Sequence, residues 1–565
     1  GTLAAVALLV VPNAAIVPSV VGRLLGREQG RLDWWALSRT IPGSPAPTEF
    51  PAWSFLFGDV HGHLLDLPLV LTVVALAVAW RRVLLAGPGP SRPLGRWRSA
   101  PVGWVPALGL AAVTGLVVGA TRLVNTRDLP LVGLVAAAVP LSVVRQVPVR
   151  WWLANAVAGG VTAVGVWWPY ARRSEVSDAG AELTPIHTPL PAWVDHWGFL
   201  AVVTLVVAAA VIGRGTAGRS GTTGSGVGPA RWRSRSHGAL VPAVVVAGSV
   251  GVALALGSVG LGTFAVAALL ASAGALTART VARRGGAWAG AALVAAVGWA
   301  LVAAIEVVSV VNDFDRMNTV FKGWFQAWSL VVVGLATCVS ALLPTPLLAS
   351  TAGQTRRSRI RVHSIRGVLV VGALLAVAFW QLAAPARLDD RSSPGGLHLD
   401  GLAYLDAGAA AGFTGAADRP LVSWLQQHVD GIVTVAEAPG QGYTWAGRVA
   451  AHTGLPTVVG WPYHQSQQRR AHEAAVRTRE GDLAALYTSG DPATVTSVLQ
   501  RYQVAYVVFG SNERALATSQ GRDALASHPC LHEVFRRGEA FISRVDQACL
   551  PDQPGGLPVV TAGGG

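Results

Sequence analysis

The stretch "GDVHGHLLDLPLVLTVVALAVAWRR", residues 58–82, decides how the chain is read. Its first six residues hold one aspartate, Asp59, and two histidines, His61 and His63. From Leu64 to Leu85 it is almost wholly apolar, about the length that crosses a hydrocarbon core. Asp66 falls one helical turn beyond His63, near the expected membrane boundary, where ionisable groups are expensive and usually functional. A polar motif running directly into a span predicts a site at the rim of a membrane.

The rest of the chain agrees with that reading. Of its 565 residues 52% are apolar and only 13% charged, about half the charge of ordinary soluble domains, and mean hydropathy is +0.46. Eleven apolar segments are long enough to span: 2–22, 65–85, 103–121, 129–145, 151–169, 197–213, 238–257, 260–277, 286–309, 324–343 and 366–384. The split of 238–277 rests on one short Gly/Ser break, and no segment reads as a cleavable signal. Gly1 in place of a methionine is expected of a piece or a processed form of a longer chain.

A net charge of +14 suits a nucleic-acid binder until the arginines are placed. Arg81, Arg82, Arg92, Arg96 and Arg98 fall in one loop. Arg145 and Arg150, the run from Arg214 to Arg235, Arg279 to Arg284 and Arg356 to Arg366 fall in alternate loops after it. Strict alternation puts them all on one side, the cytoplasm by the positive-inside rule. The charge is thus a topology signal, and no nucleic-acid partner is expected. The other side receives 23–64, 122–128, 170–196, 310–323 and everything past 385. Arg23, Arg27, Arg31 and Arg39 sit there against the rule, facing an anionic partner or pairing with Glu28, Asp33 and Glu49.

The fold class expected is therefore a polytopic α-helical membrane protein with an extracytoplasmic α/β domain. Residues 1–384 form the multi-span part, 385–550 the α/β domain and 551–565 a disordered tail, with 213–236 a cytoplasmic linker. "GIVTVAE" (431–437), "TVVGW" (457–461) and "VAYVVFG" (504–510) read as buried strands. Cys530 and Cys549 pair if that region faces an oxidising compartment and are otherwise two thiols.

Gly-Asp-x-His-Gly also opens the metal site of soluble dinuclear phosphoesterases, but their later Asn-His and His-x-His ligands are missing here. On an extended segment Asp59, His61 and His63 share one face and suit a divalent cation, with zinc or manganese favoured over magnesium. The bland alternative makes Asp59 a helix cap and the histidines interfacial.

"NDFDRMNTVFKGWFQAW" (312–328) gathers Asp313, Asp315, Arg316, Asn318, Lys322 and Gln326 at the same face. Arg316 and the chain's sole lysine, Lys322, suit a phosphate; the others suit hydrogen bonds to a sugar. Here the alternative is an ion-pair cluster that pins the span, and Glu306 needs an internal partner either way. "VNTRDLP" (124–130) adds Asn125 and Asp128, or merely caps a helix. In 437–470, Glu437, Tyr443, Arg448, Trp461, His464 and Arg469 suit carbohydrate or headgroup recognition, or packing.

"EFPAWSFLFGDVHGH", "NTRDLP", "DRMNTVFKGWFQAW" and "TGLPTVVGWPYHQSQQR" resemble, in that order, the motifs of the DUF2298, or YYY, membrane-protein family. The resemblance runs from about Asp33 to Val545. The family's Tyr-rich motif is absent, Arg127 replaces a usual Trp, and Gln465 and Gln468 stand where a Glu and a Trp are usual. The layout is similar to GT-C glycosyltransferases. It implies sugar transfer from a polyprenyl-phosphate sugar, a membrane lipid, to an envelope glycan, lipid or protein on the outer face of the plasma membrane.

In that reading Asp59 is base or metal ligand, with Glu49, His61 and His63 beside it. Asp315, Arg316, Asn318, Lys322 and Gln326 hold the donor, and the 437–469 residues hold the acceptor. A transporter or flippase of a lipid-linked or anionic solute, or a non-catalytic envelope-assembly scaffold, are the competing classes.

Overall fold

A backbone amide in lipid has no partner outside its own helix, so apolar runs fold as helices. A computed structural model describes residues 1–86, 105–173, 180–212, 260–311, 313–343, 355–389, 400–407 and 415–551. The chain divides into two compact units, one through Asp389 and one from Asp390 onward.

The first unit opens with α1 (Thr2–Val10), α2 (Ile16–Leu24), α3 (Pro51–Phe57), α4 (Gly62–Leu65) and α5 (Leu67–Ala86). It continues with α6 (Val105–Val124), α7 (Leu129–Leu141), α8 (Val149–Gly165) and α9 (Leu190–Ile212). The last are α10 (Gly262–Arg283), α11 (Ala289–Ile305), α12 (Met317–Leu342) and α13 (Arg356–Asp389).

Among the described residues six helical stretches are long and apolar enough to cross a membrane: Gly62–Ala86, Val105–Val124, Leu190–Ile212, Gly262–Arg283, Phe314–Leu342 and Ser358–Leu388. The expected segment 2–22 is instead broken between α1 and α2, where Pro12 intervenes and Asn13 donates to the Leu37 carbonyl at 2.6 Å. Segments 129–145, 151–169 and 286–309 give helices of 13, 17 and 17 residues. Segment 238–257, the linker 213–236, Asn312, the arginines from 92 to 98 and from 214 to 235, and the tail beyond Pro551 lie outside the described residues.

Small residues and interhelical hydrogen bonds hold the bundle, as lipid offers little hydrophobic drive between helices. A side chain at Gly334 would meet the Ala291 carbonyl at 2.7 Å, and one at Gly298 would meet Val331 at 2.7 Å, so α11 and α12 touch backbone to backbone. Thr162 donates to the Ala112 carbonyl at 2.7 Å and Trp167 to that of Leu116 at 2.9 Å, joining α8 to α6.

The two ends of this bundle differ in chemistry. At one, Arg81 donates to Ser142 (2.9 Å), Arg82 to the Ala287 carbonyl (3.4 Å) and Arg284 to the Val211 carbonyl (3.0 Å). At the other, β1 (Ala181–Leu183) pairs antiparallel with β2 (Val308–Val310), and Arg387 of α13 donates to the Phe57 carbonyl at 2.8 Å.

The second unit carries a four-stranded sheet in the order β3 (Thr434–Ala436), β4 (Val504–Phe509), β6 (Ala540–Val545), β5 (Leu531–Arg537). Strands β3 and β4 run parallel, the remaining pairs antiparallel. The stretch 457–461 contributes one bridge, Thr457 to Val435, and no strand of its own. Helices α14 (Gly415–His428), α15 (Arg448–Thr453), α16 (Pro462–Gln468), α17 (Glu473–Thr488), α18 (Pro492–Arg501), α19 (Ser511–Leu516) and α20 (Ser519–Ser527) complete it. Cys530 and Cys549 are joined by a disulfide.

Candidate functional site

The site in the first unit is built by the turn that follows α3. Gly58 ends that helix with φ +74°, a conformation that costs glycine little, and swings Asp59 back so that its N–H reaches the Ser54 carbonyl at 3.0 Å. Asp59 Oδ1 accepts the backbone N–H of His61 at 3.0 Å and is in short contact with His61 Nδ1. Gly62 lies where a side chain would strike the Val124 carbonyl at 2.7 Å, which lets the motif press against the end of α6.

The backbone is extended at His61 but enters α4 at Gly62, so the three residues do not alternate along one strand. Asp59 and His63 meet at helical spacing, with His63 Nε2 3.3 Å from Asp59 Oδ2 and 3.9 Å from Glu49 Oε2. The His61 side chain turns outward and is 52% exposed. The group that could share one ion is therefore Glu49, Asp59 and His63, whose ligand atoms lie within 4.8 Å of one another. This group shares Asp59 and His63 with the expected set; His61 is bound to Asp59 through Nδ1, and Glu49 stands close to the other two.

Burial pushes the Glu49 carboxyl up to about 7, against the hydrogen bond it accepts from Ser54 at 2.6 Å. Burial also acts on Asp59, but the hydrogen bonds from His61 outweigh it and hold that carboxyl below its ordinary value. The same bond raises the His61 imidazole, against burial.

Helix α12 supplies the facing wall. Asn318, Lys322 and Gln326 recur every four residues and so share one stripe. Phe321 and Phe325 close edge-on over His63, with centroids at 4.4 and 4.6 Å. Gln326 donates to Asp128 at 2.8 Å and to the His63 carbonyl at 3.0 Å, so Asp128 binds the wall rather than only capping a helix. Asp66 is fully buried and interacts with Asp128. Lys322 is half-buried and acts electrostatically on His61 and Asp128, yet makes no hydrogen bond or ion pair among the described residues.

The other donor-site candidates are occupied by the fold. Arg316 is buried, donating to the Ile305 carbonyl (2.9 Å) and Thr188 (3.2 Å) with Glu306 at 3.7 Å. Glu306 in turn accepts from Thr188 and Thr263, which supplies the internal partners it needs. Asp313 accepts from Asn318 and Thr319 at the start of α12, and Asp315 accepts from Ser44 at 2.7 Å. Pinning of the span thus describes Arg316, Asn318 and Asp315, leaving Lys322 available.

In the second unit Tyr443, Trp461 and His464 form one wall of a cleft of roughly 640 Å³, with Trp445 and His452 also lining it. Tyr443 is 72% exposed and lies 5.4 Å from the Trp461 ring. Its hydroxyl is 3.2 Å from His464 Nε2. Arg469 is exposed and does not line the cleft. Glu437 is interior; Arg448 is buried as well but lines the cleft. Arg448 meets Asp418 at 2.7 Å, Glu513 at 2.6 Å and Glu437 at 3.5 Å, while Glu437 accepts the N–H groups of Val449 and Ala450.

Residues 1–331 match the family described as "Uncharacterized membrane protein (DUF2298)". The chain belongs to that family. The DUF2298 match takes in every residue of the first site from Glu49 to Gln326 and stops short of the 437–469 stretch. Together with the apolar helices it makes this a multi-pass membrane protein. No curated protein matches the chain.

Sequence reading missed two members of the Arg448 cluster and one buried histidine of the first unit. His196 is fully buried on α9 against Trp197 and Trp324, in an apolar run that only Asp195 interrupts beside it. Asp418 and Glu513 flank no recognisable motif, and only the fold brings them to Arg448.

Proposed function

We propose that this DUF2298 protein is a membrane glycosyltransferase of the GT-C type. It takes a sugar from a polyprenyl-phosphate carrier and passes it to an acceptor of the cell envelope. The observation that carries the reading is Lys322, the sole lysine of the chain, held half-buried and unpaired among the described residues within electrostatic reach of His61 and His63.

The chemistry asks for two things in one place. The departing phosphate gathers negative charge as the bond to the sugar breaks, and a fixed cation stabilises it. The acceptor hydroxyl must lose its proton as its oxygen bonds to the sugar carbon. Asp59 engages Nδ1 of His61, leaving Nε2 to take that proton on the exposed side of the ring. The bonding electrons of the broken C–O bond leave with the phosphate, beside Lys322. Arg316 is not needed for this and has its own partners.

The site is assigned to the extracytoplasmic side of the plasma membrane. The arginine-bonded bundle end is the opposite one, and a disulfide in the second unit suits an oxidising compartment. The second unit is then an extracytoplasmic α/β domain whose aromatic cleft holds part of the acceptor, because stacked rings with polar tips suit sugar faces. A flippase is the second reading, favoured by one observation: Asp66 and Asp128 lie buried together beneath the site, as proton-coupled carriers require.

Native mass spectrometry of the chain purified in nanodiscs tests both. A polyprenyl-phosphate sugar retained by wild type and by His61→Ala, but lost from Lys322→Ala, is the expected result. When an extract of envelope glycans and lipids is added as acceptor, release of free polyprenyl phosphate by wild type and not by His61→Ala completes it. Binding without any release favours the flippase, and binding that ignores Lys322→Ala removes the site from this place.

A further inference from the structure

We infer that Glu49, Asp59 and His63 form a binding site for one transition-metal dication, zinc before manganese, set behind the exposed ring of His61. The inference does not depend on the transferase reading.

The first ground is distance. Zinc takes nitrogen and carboxylate oxygen at about 2.0–2.2 Å, so neighbouring donors of a tetrahedral site stand about 3.4 Å apart. His63 Nε2 stands 3.3 Å from Asp59 Oδ2 and 3.9 Å from Glu49 Oε2. An ion between them needs only small side-chain rotations and leaves a fourth position for water.

The second ground is unmet bonding. His63 is completely buried, and neither ring nitrogen has a hydrogen-bond partner; Asp59 Oδ2 has none either. Leaving such groups unpaired costs about 1–3 kcal/mol each, so a buried imidazole nitrogen with two carboxylate oxygens within 4 Å and hydrogen-bonded to neither suits a cation among them. A helix cap would not produce this arrangement, because the Asp59 oxygen that accepts the backbone N–H is Oδ1, the other one.

The third ground is that each ligand is held from behind. Ser54 fixes Glu49 at 2.6 Å, His61 fixes Asp59, and Phe321 and Phe325 enclose the His63 ring. Supports of this kind orient ligands, and their loss weakens metal affinity by about 10–100-fold. One imidazole with two carboxylates suits zinc or manganese; magnesium prefers oxygen donors with several waters.

The test uses the whole chain in detergent, purified through a tag without histidines and stripped with a chelator. Cobalt(II) titration followed by visible absorption, then zinc displacement and elemental analysis, measures stoichiometry and affinity. One metal per chain is expected, with affinity lowered at least 10-fold in Glu49→Gln and His63→Ala and by less in His61→Ala. Chromatographic profiles show whether each variant is folded, and the wild-type stoichiometry stands without any variant. No retained metal in wild type overturns the inference, as does a loss in His61→Ala equal to or larger than that in His63→Ala.

Discussion

At Arg448 one guanidinium meets three carboxylates, those of Asp418, Glu437 and Glu513, in the interior of the second unit. One cation does not neutralise three anions, and burial pushes the Glu437 carboxyl up to about 7 even though Arg448 and two backbone N–H groups oppose it. A carboxyl raised in the folded state binds its proton more tightly there than when unfolded. Its contribution is therefore complete below the unfolded value near 4.5 and is lost as pH rises through about 7. The shift corresponds to roughly 3 kcal/mol. Asp418 works in the other direction: the charge and hydrogen bonds of Arg448 outweigh burial and hold it low, so its contribution is lost as pH falls. Pulse proteolysis of the full chain in urea should show the second unit losing stability from pH 5 to pH 8. Glu437→Gln should flatten that slope, since an amide does not titrate, and should lower stability at pH 5, where its NH2 faces a backbone donor. An unchanged slope would assign the loss to another group. Sequence reading offered Glu437 and Arg448 for recognition or for packing, one after a strand and the other after a glycine-rich turn. Their partners at 418 and 513 are 30 and 65 residues from Arg448, a separation that no local pattern reports.

Among the elements, α12 shows what periodicity reports and what it omits. Its four-residue stripe of Asn318, Lys322 and Gln326 is legible in the sequence, and the fold turns Lys322 and Gln326 toward the Asp59–His63 turn. Where the helix begins is less legible: Asp315 and Arg316 take φ of +47° and +53°, and the ties from Asp313 and Glu306 hold that turn. The turn from Asp59 to His63 is equally hard to read, since Gly58 turns the chain with φ +74° and Gly62 starts a helix pressed against the end of α6. Two further steps of four along α12 bring the series to Gly334, which packs against the α11 backbone. Gly334→Ile cannot be accommodated there without parting the two helices. Overpacking of this kind costs about 1–3 kcal/mol, so the bundle should unfold at lower temperature in detergent by tryptophan fluorescence. Gly367→Ile, where a side chain would meet open space, is the control and should leave the midpoint unchanged.

For the whole molecule, the arginine pattern was the most informative feature of the sequence, because it assigns ends to helices without any knowledge of how they pack. The hydrogen bonds of Arg81, Arg82 and Arg284 gather three of those loops at one end of the first unit. The site, with Phe57 and the last turn of α13, occupies another. Which end faces out can be read by thiol labelling. Cys338 is buried and Cys530 is bonded to Cys549, so the native cysteines give little background. Val60 is 78% exposed in the turn between Asp59 and His61, and Gly285 lies with Arg284 at the other end, in a turn where a side chain would meet no neighbour, though φ +70° adds strain. In intact cells a membrane-impermeant maleimide should modify Val60→Cys and spare Gly285→Cys until the membrane is opened. The reverse pattern would put the Lys322 site in the cytoplasm. There a nucleotide sugar, rather than a lipid-phosphate sugar, would be the donor within reach, and the same lysine would have to be read as the holder of a diphosphate.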